Sequence, residues 1–219
     1  MIKFIPRVFT SYSVNAIRSG IKTQTRRIFK PQPEACPGTN GFMPIHDWIA
    51  QGEEKIQRGL TMVHTEGPGK GLIFPAYKSN VGDIIWVKET WAHHPKEGYL
   101  YKATDILNDS IEYNLKWKPP RFMPKVACRN FLKVVSVRAE RLQDITQEDA
   151  KAEGVFPCPH RPASTECKKW LNNSFKSDCY VCSYRVTWQQ INHNWDDNPW
   201  VSVEIFEQIP QPDNFLIQK

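Results

Sequence analysis

Lys22-Thr23-Gln24-Thr25-Arg26-Arg27 packs three cations and two hydroxyls into six residues, with Lys30 close behind. Cations at that density hold an anionic ligand, and the hydroxyls add hydrogen bonds to it. A second basic block, Lys116, Lys118, Arg121, Lys125 and Arg129, is interleaved with Trp117 and Phe122. Basic side chains mixed with aromatics suit a surface that follows a nucleic-acid backbone and stacks its bases. Both blocks equally fit strand edges guarded by Lys and Arg. Glu89 has the chemistry to accept from the amino group of a base; its alternative is an ion pair with Arg26 or Arg27. Arg27 and Arg26 also have Asp83 as an alternative partner. Trp91 is placed either to stack a base or to fill the core, and Trp86 reads as core.

The cysteines suggest a metal. Cys158, Cys167, Cys179 and Cys182 lie in one polar stretch, and Cys179-Tyr180-Val181-Cys182 has the spacing of a zinc knuckle. With Cys167 and Cys158, or His160 in its place, they predict a four-ligand structural zinc site. The metal would supply folding energy that a stretch without its own core lacks. A loosely docked loop with incidental thiols is the alternative. Cys36 and Cys128 read as buried thiols. His93 and His94 are adjacent, so on a strand they point to opposite faces and form no paired site. No organic cofactor is expected.

Positioning these residues falls to a chain of 219 residues, enough for one domain with insertions. Eight Trp, eleven Phe and seven Tyr supply a core, while seventeen Pro argue against a helical bundle. The net charge of +6 and pI near 9.0 permit a polyanionic partner without demanding one. The longest apolar runs, such as 82–87, are far below the roughly 20 residues that cross a bilayer. Residues 1–7 lack the apolar core of a signal peptide. A cytoplasmic protein with no membrane partner is therefore expected, its cysteines reduced or metal-bound.

Residues 8–19 read as a short helix capped by Ser11 or Ser13 and ended by Gly20. Residues 23–29 read as a strand stopped by Pro31 and Pro33. Residues 81–92 give a second strand after the Gly82-Asp83 turn, with 99–103 as its hairpin partner. Residues 131–142 and 200–209 give two long strands. Thr146 is a natural N-cap for a helix that Gly154 closes, with Asp149 in the capping-box position, and 186–193 reads as another helix. Residues 31–76 and 155–183 look like irregular insertions, and 211–219 like a tail. The sum is an α+β chain: one domain over 1–210, built as a small β-barrel with short flanking helices and two insertions.

Five motifs in order carry a family resemblance: Gly20-Ile21-Lys22-Thr23-Gln24-Thr25-Arg26-Arg27; Gly82-Asp83-Ile84-Ile85-Trp86-Val87-Lys88-Glu89-Thr90-Trp91; Trp117-Lys118-Pro119 with Met123-Pro124; Ala150-Lys151-Ala152-Glu153-Gly154; and Asn198-Pro199-Trp200-Val201. The combination resembles the ASCH domain, a PUA-like relative found in RNA-binding and RNA-modifying proteins, and is most similar to phage and prophage ASCH proteins. The resemblance skips both insertions. It implies a PUA-like β-barrel that binds RNA or a modified nucleoside. One ASCH branch removes the acetyl group of N4-acetylcytidine with a Lys, a Thr and a Glu, which the motifs place on Lys22, Thr25 and Glu153. Arg26, Arg27, Glu89, Trp91 and Lys118 are the accompanying candidates for ligand binding. A ribonuclease, or a non-catalytic module that binds RNA or a host protein, are the other activities the resemblance implies. A regular strand would turn Lys22 and Thr25 to opposite faces. An enzyme therefore requires the chain to bend between Gly20 and Thr23, so that both face one cavity.

Overall fold

The computed structural model describes residues 2–35, 72–73, 78–105, 115–158 and 179–217. Its frame is one mixed sheet of five strands. They are β1 (Phe4–Val8), β2 (Gln24–Ile28), β5 (Ile84–Lys88), β8 (Phe131–Arg141) and β9 (Trp200–Ile209), in the order β1-β5-β8-β9-β2. β1 runs parallel to β5, and the other pairs are antiparallel. Two small pairs flank it: β3 (Glu34–Ala35) with β4 (Leu72–Ile73), and β6 (Trp91–His94) with β7 (Gly98–Tyr101).

The β-formers of 131–141 and 200–209 make the two longest strands, and their ladder is the backbone of the sheet. One irregularity between Val134 and Ser136 leaves Val135 unpaired and exposed, and such a bulge increases local twist.

The sheet is open. No ladder joins β1 to β2, which corrects the expected β-barrel to a mixed α+β fold on an open sheet. The edges explain this. β1 carries Pro6, which cannot donate to a further strand, and both edge strands carry arginines. Side chains span the gap instead: Arg27 NH2 donates to Val8 O at 3.0 Å, and Arg7 NH2 on β1 reaches Glu204 Oε1 on β9 at 2.7 Å.

Among the described residues three α-helices pack on this frame: α1 (Ser11–Arg18), α2 (Gln147–Ala152) and α3 (Tyr180–Asn192). Thr10, rather than Ser11 or Ser13, caps α1 by accepting from Ser13 N at 3.2 Å. Thr146 caps α2 by accepting from Asp149 N at 3.0 Å, as its sequence predicts. α3 begins six residues before the expected helix, inside the stretch read as an insertion. Its Val181, Tyr184 and Trp188 recur at helical spacing and pack on Trp195, Val201 and Val203. A second core joins Val14 and Ile17 of α1 to Ile85, Val87, Leu132 and Val134. The third gathers Trp86, Trp91, Met123 and Phe131 around Phe215, which is fully buried although 211–217 reads as a tail.

Candidate functional site

The basic block owes its position to how α1 ends. Gly20 takes a left-handed conformation (φ +74°), and the N–H groups of Ile21 and Lys22 both donate to Ala16 O at 2.9 Å. The chain thus folds back on α1 before β2 starts at Gln24. Thr23 then binds both neighbours: its N–H donates to Ala152 O of α2, and its carbonyl accepts from Phe206 N of β9, each at 2.9 Å. Lys22 lies outside the strand, in a bend of the kind that the enzymatic reading needs.

Glu153 follows α2 and meets this bend. Lys22 Nζ lies 2.7 Å from Glu153 Oε2 and also donates to the Glu153 carbonyl at 2.8 Å. Arg26 NH1 donates to Glu153 Oε1 at 3.1 Å, so both carboxylate oxygens are held. Arg26 in turn donates from Nε to Glu140 Oε1 at 2.8 Å and lies 3.1 Å from Asp149 Oδ2. All of Lys22, Arg26 and Glu153 are buried. Gly154 makes the approach possible: a Cβ there would stand 2.9 Å from the Cβ atoms of both Ala16 and Lys22.

Burial pushes the Lys22 amine below its ordinary pKa of 10.5, and the nearby Arg27 and Arg26 add to this, against the pull of Glu153. Arg27 is likewise lowered, by burial and then by Arg7. An amine shifted this way is closer to acting as a base than a solvated lysine is.

Lys22, Thr25, Arg26, Arg27 and Glu153 all line one cavity of about 500 Å³. Six consecutive residues, Thr25 to Lys30, contribute to it. Successive strand residues alternate sides, so the cavity must run along the outer edge of β2. This is how Lys22 and Thr25 come to share it. The volume falls within the roughly 300–1,000 Å³ of small-molecule sites.

Several lining residues carried no signal in the sequence. Arg7 comes from β1, Tyr12 from α1, Tyr184 and Trp188 from α3, and Ser202 and Glu204 from β9. Tyr184 and Trp188 form an aromatic wall, with the Arg26 guanidinium 5.9 Å from the Tyr184 ring centre. Their i, i+4 spacing was readable only once 180–185 was known to be helical. Tyr12 hydroxyl donates to Gly154 O at 2.7 Å, tying α1 to the end of α2.

The remaining candidates lie elsewhere. Glu89 is fully buried and clamped by Arg129, with Nε to Oε1 and NH2 to Oε2 both 2.9 Å, and by Asn130 Nδ2 at 3.2 Å. Its ion-pair partner is therefore Arg129, not Arg26 or Arg27. Asp83 instead accepts from the backbone of Lys3 and Asn80. Trp91 is a core residue, with Lys118 Nζ 4.8 Å from its ring centre. Lys118 itself is exposed, on the second basic block. His93 packs edge-on to Tyr99. Cys128 is buried, which pushes its thiol up to about 12.

The expected zinc site is overturned. Among the described residues no three His, Cys, Asp or Glu side chains are grouped to hold a metal ion. Cys179 is spent as the N-cap of α3, its Sγ accepting from Cys182 N at 3.4 Å. Cys158 meets Cys179 through its backbone, N to O at 2.9 Å. Cys167 and His160 lie outside the described residues, as do Cys36 and most of 31–76. No helix among the described residues is long and apolar enough to cross a membrane.

Compared with protein-family models, curated proteins and solved structures, the chain matches none.

Proposed function

We propose that the chain binds a modified nucleoside in the β2-edge cavity and hydrolyses its N-acyl group, acting on the N4-acylated cytidine class that the ASCH resemblance implies. One observation carries the reading: a buried lysine amine, lowered in pKa and held by Glu153, shares a nucleoside-sized cavity with Thr25. In this scheme Lys22 Nζ takes the Thr25 hydroxyl proton, directly or through one water, as the hydroxyl oxygen bonds to the acyl carbon. The amide nitrogen leaves as an amine with the proton that Lys22 carries. Water then attacks the acyl carbon of the acyl-threonine ester, giving its proton to Lys22, which returns it to the departing Thr25 oxygen as the carboxylic acid is released. With both its oxygens engaged, Glu153 positions Lys22 and Arg26. Tyr184 and Trp188 offer an apolar wall for the base.

The test is release of cytidine and acetate from N4-acetylcytidine by the purified protein. Wild type is expected to turn over, and Lys22→Ala to lose about 100-fold or more of that rate. An inert wild type removes the hydrolytic reading.

A non-catalytic RNA-binding module is the second reading. The observation favouring it is Phe122, 60% exposed beside the Arg121 guanidinium and four residues after the exposed Lys118. Salt-dependent RNA binding that survives Thr25→Ala, with no nucleoside turnover, would favour it.

A further inference from the structure

The cavity holds a second polar set that the hydrolytic scheme leaves unused. Glu204 stands directly opposite Thr25 in the β2–β9 register and is 1% exposed. Paired residues of antiparallel strands share a face, so the Glu204 carboxylate and the Thr25 hydroxyl are neighbours. Glu204 Oε1 is held twice, by Arg7 NH2 at 2.7 Å and by the Ser79 hydroxyl. Oε2 is just as buried and has no hydrogen-bond partner among the described residues. A buried carboxylate oxygen left unmatched is costly, so its partner is to be sought in a ligand.

Arg27 lies two residues along the same face, opposite Ser202. Its guanidinium is fixed by NH2 donating to Val8 O and by the Phe9 ring, 5.4 Å away. Its Nε is buried and likewise has no partner among the described residues. Arg27 and Glu204 both line the cavity, so an acceptor stands diagonal to a donor along one wall, each of the two atoms itself almost without exposed surface.

We propose that Glu204 and Arg27 read the ligand's base edge. Glu204 Oε2 accepts from an exocyclic N–H, and Arg27 Nε donates to the neighbouring ring nitrogen or carbonyl oxygen. This inference rests on the nucleoside reading and specifies it: the base has a donor beside an acceptor, as cytosine does at its amino group and ring N3. Uracil presents the reverse order and would set a carbonyl oxygen against the carboxylate. The geometry also serves the reaction. In an N-acylated base the acyl carbon is one bond from the N–H that Glu204 accepts. Holding that N–H opposite Thr25 brings the acyl carbon to the nucleophile. Glu204 and Arg27 are positioning and specificity residues in this account.

Calorimetric titration of the full chain with cytidine, uridine and N4,N4-dimethylcytidine tests it. Cytidine is expected to bind at least about tenfold more tightly than either of the others, one of which reverses the edge and one of which lacks the donor. In Glu204→Gln the side-chain amide both donates and accepts, so cytidine is expected to weaken while uridine tightens. General damage to the fold would weaken both. If Glu204→Gln does not fold, the three ligands on wild type still decide. Equal affinity for cytidine and uridine in wild type, or no binding of any of them, overturns the proposal. Discrimination without turnover of N4-acetylcytidine keeps this pair and removes the hydrolytic scheme. Turnover without discrimination does the opposite.

Discussion

At the scale of single residues, Lys22 decides what the cavity can do. Its amine sits between two opposed influences, burial with the neighbouring arginines lowering its pKa and Glu153 raising it, and the former prevail. The sign of the consequence follows from linkage. A folded-state pKa below 10.5 means that the native chain binds fewer protons than the unfolded chain between the two values. The contribution of Lys22 to stability is therefore fully present above 10.5 and lost as pH falls through the native value. Urea midpoints of wild type and Lys22→Met, compared across that range, should shift in favour of wild type as pH rises. A constant difference would show that the amine is not perturbed. The same shift places the rising limb of kcat/KM below 10.5 if Lys22 is the base.

Elements bring Lys22 to Glu153. The C-terminus of α1, the start of β2 and the end of α2 converge there, joined by Thr23 N to Ala152 O and by Gln24 Nε2 to Asp149 O at 2.8 Å. Gly154 sits at the convergence with φ +86°. Gly154→Ala meets two obstacles at once. An alanine resists that backbone conformation, and its Cβ would stand 2.9 Å from both Ala16 and Lys22. The expected cost is about 2–4 kcal/mol, read as a lower melting temperature. A neutral substitution would mean that α1 and α2 are free to separate, and the Lys22–Glu153 contact with them.

Much of this junction was legible beforehand. The glycines after α1 and α2, the Thr146 cap and the strand 200–209 are all local signals. The bend between Gly20 and Thr23 was legible only as a condition for an enzyme, since a straight strand would part Lys22 from Thr25. Other features were not legible, for definite reasons. Nothing local distinguishes a sheet that closes from one whose edges carry Pro6 and arginine side chains that bridge. Glu204 alternates as an ordinary strand residue, and only the pairing of β2 with β9 sets it opposite Thr25. Glu89 was a site candidate because a carboxylate can accept from a base amino group, yet Arg129, forty residues on, claims it. The Cys179 to Cys182 spacing looked like a metal knuckle because a helix N-cap and its third residue have that same spacing.

On the scale of the whole molecule, the open sheet is held by cores on both sides, and the C-terminal residues complete one of them. Phe215 packs edge-on to Phe131 at 4.7 Å, Phe4 at 5.2 Å and Trp86 at 5.8 Å between ring centres. It thereby ties the edge strand β1 to β5 and β8. Phe215→Ala is expected to cost about 3–5 kcal/mol by denaturant unfolding, a core-sized loss. A change below about 0.5 kcal/mol would return the segment to the status of a tail. The cavity lies along the opposite edge, at β2, where the gap to β1 is crossed by Arg7 and Arg27 rather than by a ladder. An open sheet thus leaves room for a ligand at the place where a closed one would have paired its strands.

Thr25 separates an enzyme from a binding module, so the central claim is tested most directly by kcat/KM for N4-acetylcytidine in wild type and Thr25→Ala. The account predicts measurable hydrolysis by wild type and a loss of about 100-fold or more in the variant, with the melting temperature unchanged. Hydrolysis that survives the loss of the Thr25 hydroxyl, or a wild type with none, would contradict it.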